Sequence, residues 1–192
     1  FTAIFSTISI VEERRSGFLQ AALVAPLPRT ALVLGTVLGG TTLAVIEAGL
    51  FLLLLPAVDL HPGLAGIGLI LLIGALTALA FTALGFVIAW RMESTRGFHA
   101  VMNLFLLPLW FLSGAPFPLE GAAPALQWVM RLNPVTYAVD GIRQAAYLPA
   151  NAPLGAAPVG VCLALTAVFA VALFALATWT VGRPLFERGR AV

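Results

Sequence analysis

Few side chains in this sequence are equipped for chemistry, and their placing narrows what they do. Glu47 is the one acid inside an apolar stretch. An ionisable group there is costly and usually faces a cavity. It reads either as a proton or substrate site, or as a protonated carboxyl at a helix contact. Glu12-Glu13-Arg14-Arg15 is the densest charge cluster and ends the apolar run Phe1–Val11. Asn133-Pro134 has the form of a helix cap followed by proline in the first turn. Asp140 and Arg143, three apart, are spaced to pair on one helix face. His61 and His99 share no Ser/His/Asp arrangement and no metal-ligand spacing. Cys162 is the only cysteine, so it makes neither an internal disulfide nor a metal cluster, and it reads as a small packing residue. All ten basic residues are arginine. A Walker A loop needs a lysine on the phosphates, so this chain cannot contain one. We expect no cofactor bound by the chain itself. If ATP drives it, the ATP and its Mg sit on another polypeptide or a missing segment.

The elements that position these residues are membrane helices. The 192 residues are 61% hydrophobic and 9% charged, which does not suit a soluble domain. The net charge of +2 points to no nucleic-acid partner. Phe1–Val11 covers only about half a bilayer at ~1.5 Å per residue and reads as the tail of a span. Ser16–Ala25 reads as a helix lying in the interface, with Val11, Phe18, Ala22 and Ala25 at helical spacing. Pro26 and Pro28 end it, and Arg29 marks re-entry. Thr30–Pro56 and Leu64–Trp90 are full spans. Gly35/Gly39, Gly40/Ala44/Ala48 and Gly74/Ala78/Thr82 give them small-residue faces. Arg91–Arg96 is a charged loop. Gly97–Leu112 is shorter, about 22 Å against a core of roughly 30 Å. The region of Met102, Asn103, Phe105 and Pro108 is a candidate path lining, with Asn103 its polar member.

Prolines 116, 118, 124 and 134 then break the chain into two short amphipathic helices, 122–132 and 134–147. Leu126, Val129 and Met130 share the apolar face of the first. Val135, Val139, Ile142 and Ala146 share that of the second, with Asp140 and Arg143 on its other side. These helices are expected to dip back from the outer side, which backbone tolerates where protein buries it. Ala157–Gly182 is the last span and Arg183–Val192 a polar tail. Eight arginines (14, 15, 29, 91, 96, 183, 188 and 190) fall on one side and two (131 and 143) on the other. The positive-inside rule places the eight in the cytoplasm. Trp90 and Trp179 then mark the inner interface, and Trp110, Trp128, Tyr137 and Tyr147 the outer.

The run from Leu112-Ser113-Gly114 through Phe117-Pro118-Leu119-Glu120, Pro124 and Trp128 to Asn133-Pro134-Val135-Thr136-Tyr137-Ala138-Val139-Asp140-Gly141-Ile142-Arg143 resembles the C-terminal part of bacterial ABC-2 type transporter permeases, the multidrug/antibiotic-exporter branch most closely. Glu13, Arg14, Ser16, Gly17, Leu23, Pro26, Leu27 and Arg29 resemble the family's sequence between its second and third spans. The resemblance implies one permease domain over 1–192 that lacks the family's first span and part of its second. The implied fold is an all-α polytopic bundle with an interfacial coupling helix and re-entrant outer helices. Glu12, Glu13, Arg14, Ser16, Gly17, Leu23, Pro26 and Arg29 would then contact an ATP-binding cassette subunit. Phe117, Pro118, Glu120, Asn133, Pro134, Tyr137, Asp140 and Arg143 would form an outer gate, and Glu47 and Asn103 an intramembrane polar site. A second permease copy, the bilayer of a bacterial cytoplasmic membrane, and export of a drug-like, lipid or glycolipid substrate are implied likewise. The alternatives are an ion-coupled carrier using Glu47 and a non-transport assembly subunit.

Overall fold

The computed structural model describes residues 1–17, 28–117, 121–147 and 157–182. Among them every regular element is helical. In order these are α1 (Thr2–Phe5), α2 (Ile8–Arg15), α3 (Arg29–Leu52), a 3-10 turn (Leu55–Val58), α4 (Gly63–Ala89), α5 (Thr95–Phe111), α6 (Pro124–Leu132), α7 (Pro134–Ala146) and α8 (Val159–Gly182). Three stretches are long and apolar enough to cross a membrane: Thr30–Ala57, Gly63–Ala89 and Val159–Gly182. Only 17%, 28% and 17% of their most apolar windows is buried, so most of this hydrocarbon faces outward, as a bilayer allows and water does not. The protein is therefore an all-α, multi-pass membrane protein.

α4 is the hub, packed against α3, α8, α7 and α1. Its small residues admit these neighbours. A Cβ on Gly85 would stand 2.6 Å from Thr7 Oγ1 and 2.9 Å from the Ile4 carbonyl. On Gly66 it would stand 2.5 Å from the carbonyl of Ala145 in α7. Gly40 of α3 is closed in the same way by Ser6 and Thr82. Gly35, Gly39 and Gly74, by contrast, have open space beside them. Of the anticipated small-residue faces, the tight contacts thus fall at Gly40, Ala78 and Thr82.

The N-terminal run is not one helix. It breaks at Ser6-Thr7, whose hydroxyls donate back to the carbonyls of Ala3 (2.8 Å) and Ile4 (2.7 Å) and compete with the helix ladder. α2 then continues through the charged cluster to Arg15. Ser16 and Gly17 end it rather than begin the next helix. Gly17 takes φ +80°, the left-handed conformation that closes helix C-termini. Val11, expected on an interfacial face, is wholly buried in the core beside Trp90 and Phe98. The rest of the expected interfacial helix, with Leu23 and Pro26, lies outside the described residues. So do Pro118, Glu120 and the tail from Arg183. α3 begins at Arg29, as the prolines before it require.

α5 starts two residues earlier than the composition suggested. Ser94 is its N-cap and accepts from the Gly97 N–H at 3.0 Å, which draws Thr95 and Arg96 into the helix. At 17 residues it is about 25 Å long, short of a full crossing. α7 supplies depth beside it. A Cβ on Gly141 would meet Ile73 at 2.9 Å and Cys162 at 3.1 Å. Ile73 lies ten residues inside α4, about 15 Å from that helix's start. α7 is thus embedded between α4 and α8.

Its burial does not follow the expected apolar face. Thr136, Ala138, Asp140, Gly141 and Ala145 are buried, and Asp140 is only 4% exposed. Val135, Val139, Ile142 and Ala146 are only partly covered. In α6 only Met130 of the expected face is buried, while Leu126 and Val129 are exposed. Where the solvent is hydrocarbon, apolar groups gain little by turning inward and polar ones must find protein partners. Trp90 departs from expectation too: it is buried and stacked on Phe86 at 5.6 Å, not set outward in a belt.

Candidate functional site

Polar side chains hold the carbonyls of helix ends at two places: a cluster where α5 ends, and Arg14 where α4 ends and α5 is about to begin. The last four carbonyls of an α-helix have no intrahelical donor. In a bilayer no water replaces one. At the end of α5 the chain tightens: Ser113 N–H turns to the Trp110 carbonyl at 3.1 Å, which leaves the Leu109 carbonyl for Asn133. Asn133 Nδ2 donates to it at 2.7 Å. The same side chain's Oδ1 accepts from Val135 N–H at 3.0 Å and caps α7. One amide therefore ends α5 and starts α7, using both its donor and its acceptor. Thr136 Oγ1 lies 2.6 Å from the Met130 carbonyl and 3.3 Å from that of Leu112. Its single proton goes to the nearer, at the end of α6. Tyr137 OH donates to the Arg131 carbonyl at 2.8 Å. Arg143 Nη2 donates to the carbonyl of Gly114 at 3.1 Å, where Gly114 at φ +83° turns the chain.

Asn133, Tyr137 and Arg143, expected together as an outer gate, are thus brought together, with Pro134 at the first position of α7. Asp140 is buried, and Arg143 three residues on is half-buried. Phe117 is exposed, 64% of its surface free. Sequence reading missed Thr136 as a tie. A threonine three residues after an Asn-Pro cap was the available signal.

At the other end of α5 stands Arg14. Its Nη2 donates to the carbonyl of Trp90, and its Nη1 to that of Met92 at 3.4 Å. Its guanidinium carbon lies 5.5 Å from the centre of the Trp90 ring, a cation–π distance. These carbonyls follow the end of α4, where the helix dipole is negative and a cation is favoured. Arg14 therefore faces this chain's own α4, not outward as a docking residue would. Around it, Glu12, Arg15 and Ser16 are exposed and Glu13 is half-buried. Ser16 Oγ donates to the Glu13 carbonyl at 3.1 Å and holds that turn.

The remaining candidates stay apart from both clusters. Glu47, exposed on α3, edges an open cavity of about 330 Å³ that Thr2, Thr77, Phe81 and Ile142 also line. Asn103 is exposed on α5 beside Leu104 and Leu107. Nothing in this arrangement brings Glu47 and Asn103 into one site.

The helices and their polar ties define a polytopic membrane protein. The family model of the ABC-2 type transporter matches residues 1–147. Nodulation protein J of Rhizobium meliloti (strain 1021) is 33% identical over 111 residues, 58% of this chain and 40% of that protein. Putative transport permease ycf38 of Pyropia yezoensis is 32% identical over 148 residues, 73% of this chain and 49% of that one. Nodulation protein J of Sinorhizobium fredii (strain NBRC 101917 / NGR234) is 28% identical over 189 residues, 97% of this chain and 68% of that one. The chain spans less than half the length of the first and about half that of the second. With 147 of its 192 residues matched, the chain belongs to the ABC-2 type transporter family.

Proposed function

We propose that this chain is the membrane-spanning permease subunit of an ATP-driven exporter in a bacterial cytoplasmic membrane. It moves an amphiphilic substrate of the drug, lipid or glycolipid kind outward. A separate ATP-binding cassette subunit holds the ATP and Mg, and a second permease copy completes the complex. Membership of a transporter family and the likeness to a putative transport permease support transport.

One observation carries the coupling mechanism: Arg14 fastens the end of α2 to the end of α4. The exposed Glu12 and Arg15 offer the cassette subunit a charged edge. A push on that edge passes through Arg14 into α4, the helix that touches most of the bundle. The outer cluster holds α5, α6 and α7 together as one lid while the inner end moves. The permease forms and breaks no bond; it supplies the path. The test is co-purification of the full-length protein from its native membrane in mild detergent, with and without Glu12→Arg and Arg15→Glu. An ATPase that co-purifies and is lost on charge reversal supports this reading. Clean purification without any ATPase overturns it, and transport that then survives ATP depletion but collapses with an uncoupler would move the assignment to an ion-coupled carrier.

A further inference from the structure

Trp90, the C-cap of α4, meets Arg14 twice. Its carbonyl accepts from Arg14 Nη2, and the guanidinium lies over its indole ring with the central carbon 5.5 Å from the ring centre. The ring itself is held. Only 2% of Trp90 is exposed, and Phe86, one turn back on α4, stacks on it at 5.6 Å with the two planes 12° apart. Phe86 is in turn wholly buried. Among the described residues Trp90 Nε1 is buried without a hydrogen-bond acceptor. A buried donor left without its bond costs free energy that a phenylalanine in the same place would not. What the indole offers instead is its face. Tryptophan attracts a cation more strongly than phenylalanine or tyrosine does, and the attraction grows where water is excluded. Arg14 is the matching cation. A guanidinium is planar, stacks on aromatic faces and presents its N–H groups in a rigid fork, whereas a lysine ammonium is a point charge on a flexible stem. Over a fixed ring, that fork is held where two of its nitrogens reach the carbonyls of Trp90 and Met92.

We infer that Trp90 is a positioning residue for energy coupling: the electron-rich face of its indole fixes the Arg14 guanidinium on the end of α4, so that the joint stays engaged while the arginine's stem flexes. The role rests on the coupling proposed for Arg14, while the ring contact exists without it.

The experiment weakens the face and leaves its shape. Mono-, di- and tetrafluorinated tryptophan are placed at position 90 alone of the full-length protein, by nonsense suppression in cell-free synthesis. Each fluorine draws electron density from the ring face and so weakens its hold on a cation, while the indole keeps nearly its size. Fluorination also makes the indole N–H a better donor, so a ring kept for a hydrogen bond would show the opposite trend. Two quantities are read: substrate moved per ATP hydrolysed by the complex in proteoliposomes, and resistance of the permease to SDS unfolding in mixed micelles. Both should fall stepwise with fluorination, the ratio by about threefold for the tetrafluorinated ring, and neither should respond to fluorination in Arg14→Ala. A ratio indifferent to fluorination overturns the inference, even where SDS resistance falls, because Trp90 would then serve packing alone. So does a ratio that falls equally in Arg14→Ala. A complex that couples no ATP hydrolysis to transport with native tryptophan at position 90 overturns the coupling reading and this role with it; a failure confined to the fluorinated series overturns the role alone.

Discussion

The two ends of α5 solve one problem differently. At the outer end, carbonyls in or just after the last turns of α5 and α6 are held by four side chains from or just before one helix: Asn133, Thr136, Tyr137 and Arg143. At the inner end, the carbonyls after α4 are held by Arg14 alone. Several ties from one rigid element make a joint that stays closed when any one of them fluctuates. A single tie on a flexible side chain makes a joint that can swing. The difference suits a lid outside and a transmission point inside.

The largest effects should come from the glycines that bring each joint's helices together. Gly66→Val forces a branched side chain onto the Ala145 carbonyl, which is backbone and cannot turn away. It should cost about 3 kcal/mol, read as lowered resistance to SDS unfolding in mixed micelles. Gly85→Val should cost as much at the inner half, where Thr7 and the Ile4 carbonyl are in the way. If Gly66→Val were tolerated as well as a change at the open Gly35, α7 would not be embedded as described.

Next comes Asn133→Ala. It removes a helix cap and leaves a buried carbonyl without its donor, together about 2–3 kcal/mol. Asn133→Asp keeps the cap oxygen and loses the amide donor, so it should recover only part of that. Equal losses for the two would mean that the Leu109 contact contributes nothing. Arg14→Ala should cost less, about 1–2 kcal/mol, since its site is only partly buried. Tyr137→Phe should cost about 0.5–1 kcal/mol, because its bond is exposed and its neighbours carry the lid. A Tyr137→Phe loss as large as that of Asn133→Ala would break the picture of a shared outer joint. The smallest effect is expected at Glu47→Gln, which keeps the size and polarity of the side chain: transport within about twofold of the wild type.

The sequence made the helices legible because proline, charge and apolar run length act locally. Asn133-Pro134 read correctly as a cap with proline in the first turn. The shortness of α5 and the two helices after it were legible in the same way. The other half of Asn133's role was not: the Leu109 carbonyl is 24 residues away, and only the packed chain brings it near. Arg14 is expected at a partner because the stretch resembles the family's sequence between its second and third spans, which carries no sign of an internal contact. Its bonds to Trp90 and Met92 cross 76 and 78 residues. The burial of α7 does not follow its apolar face, because amphipathic patterns are ordinarily read against water. Against hydrocarbon the buried face is the one with Thr136, Asp140 and Gly141. Gly66, Gly85 and Gly141 carry no local signal in runs already rich in small residues.

The most direct test of the central claim, that Arg14 transmits motion from α2 to α4, is the ratio of substrate moved to ATP hydrolysed. It is measured on the full-length complex in proteoliposomes. The account predicts that Arg14→Ala lowers this ratio by about tenfold while ATP hydrolysis and subunit assembly persist, and that Arg14→Lys restores part of it. An unchanged ratio in Arg14→Ala, with the complex intact, would contradict it.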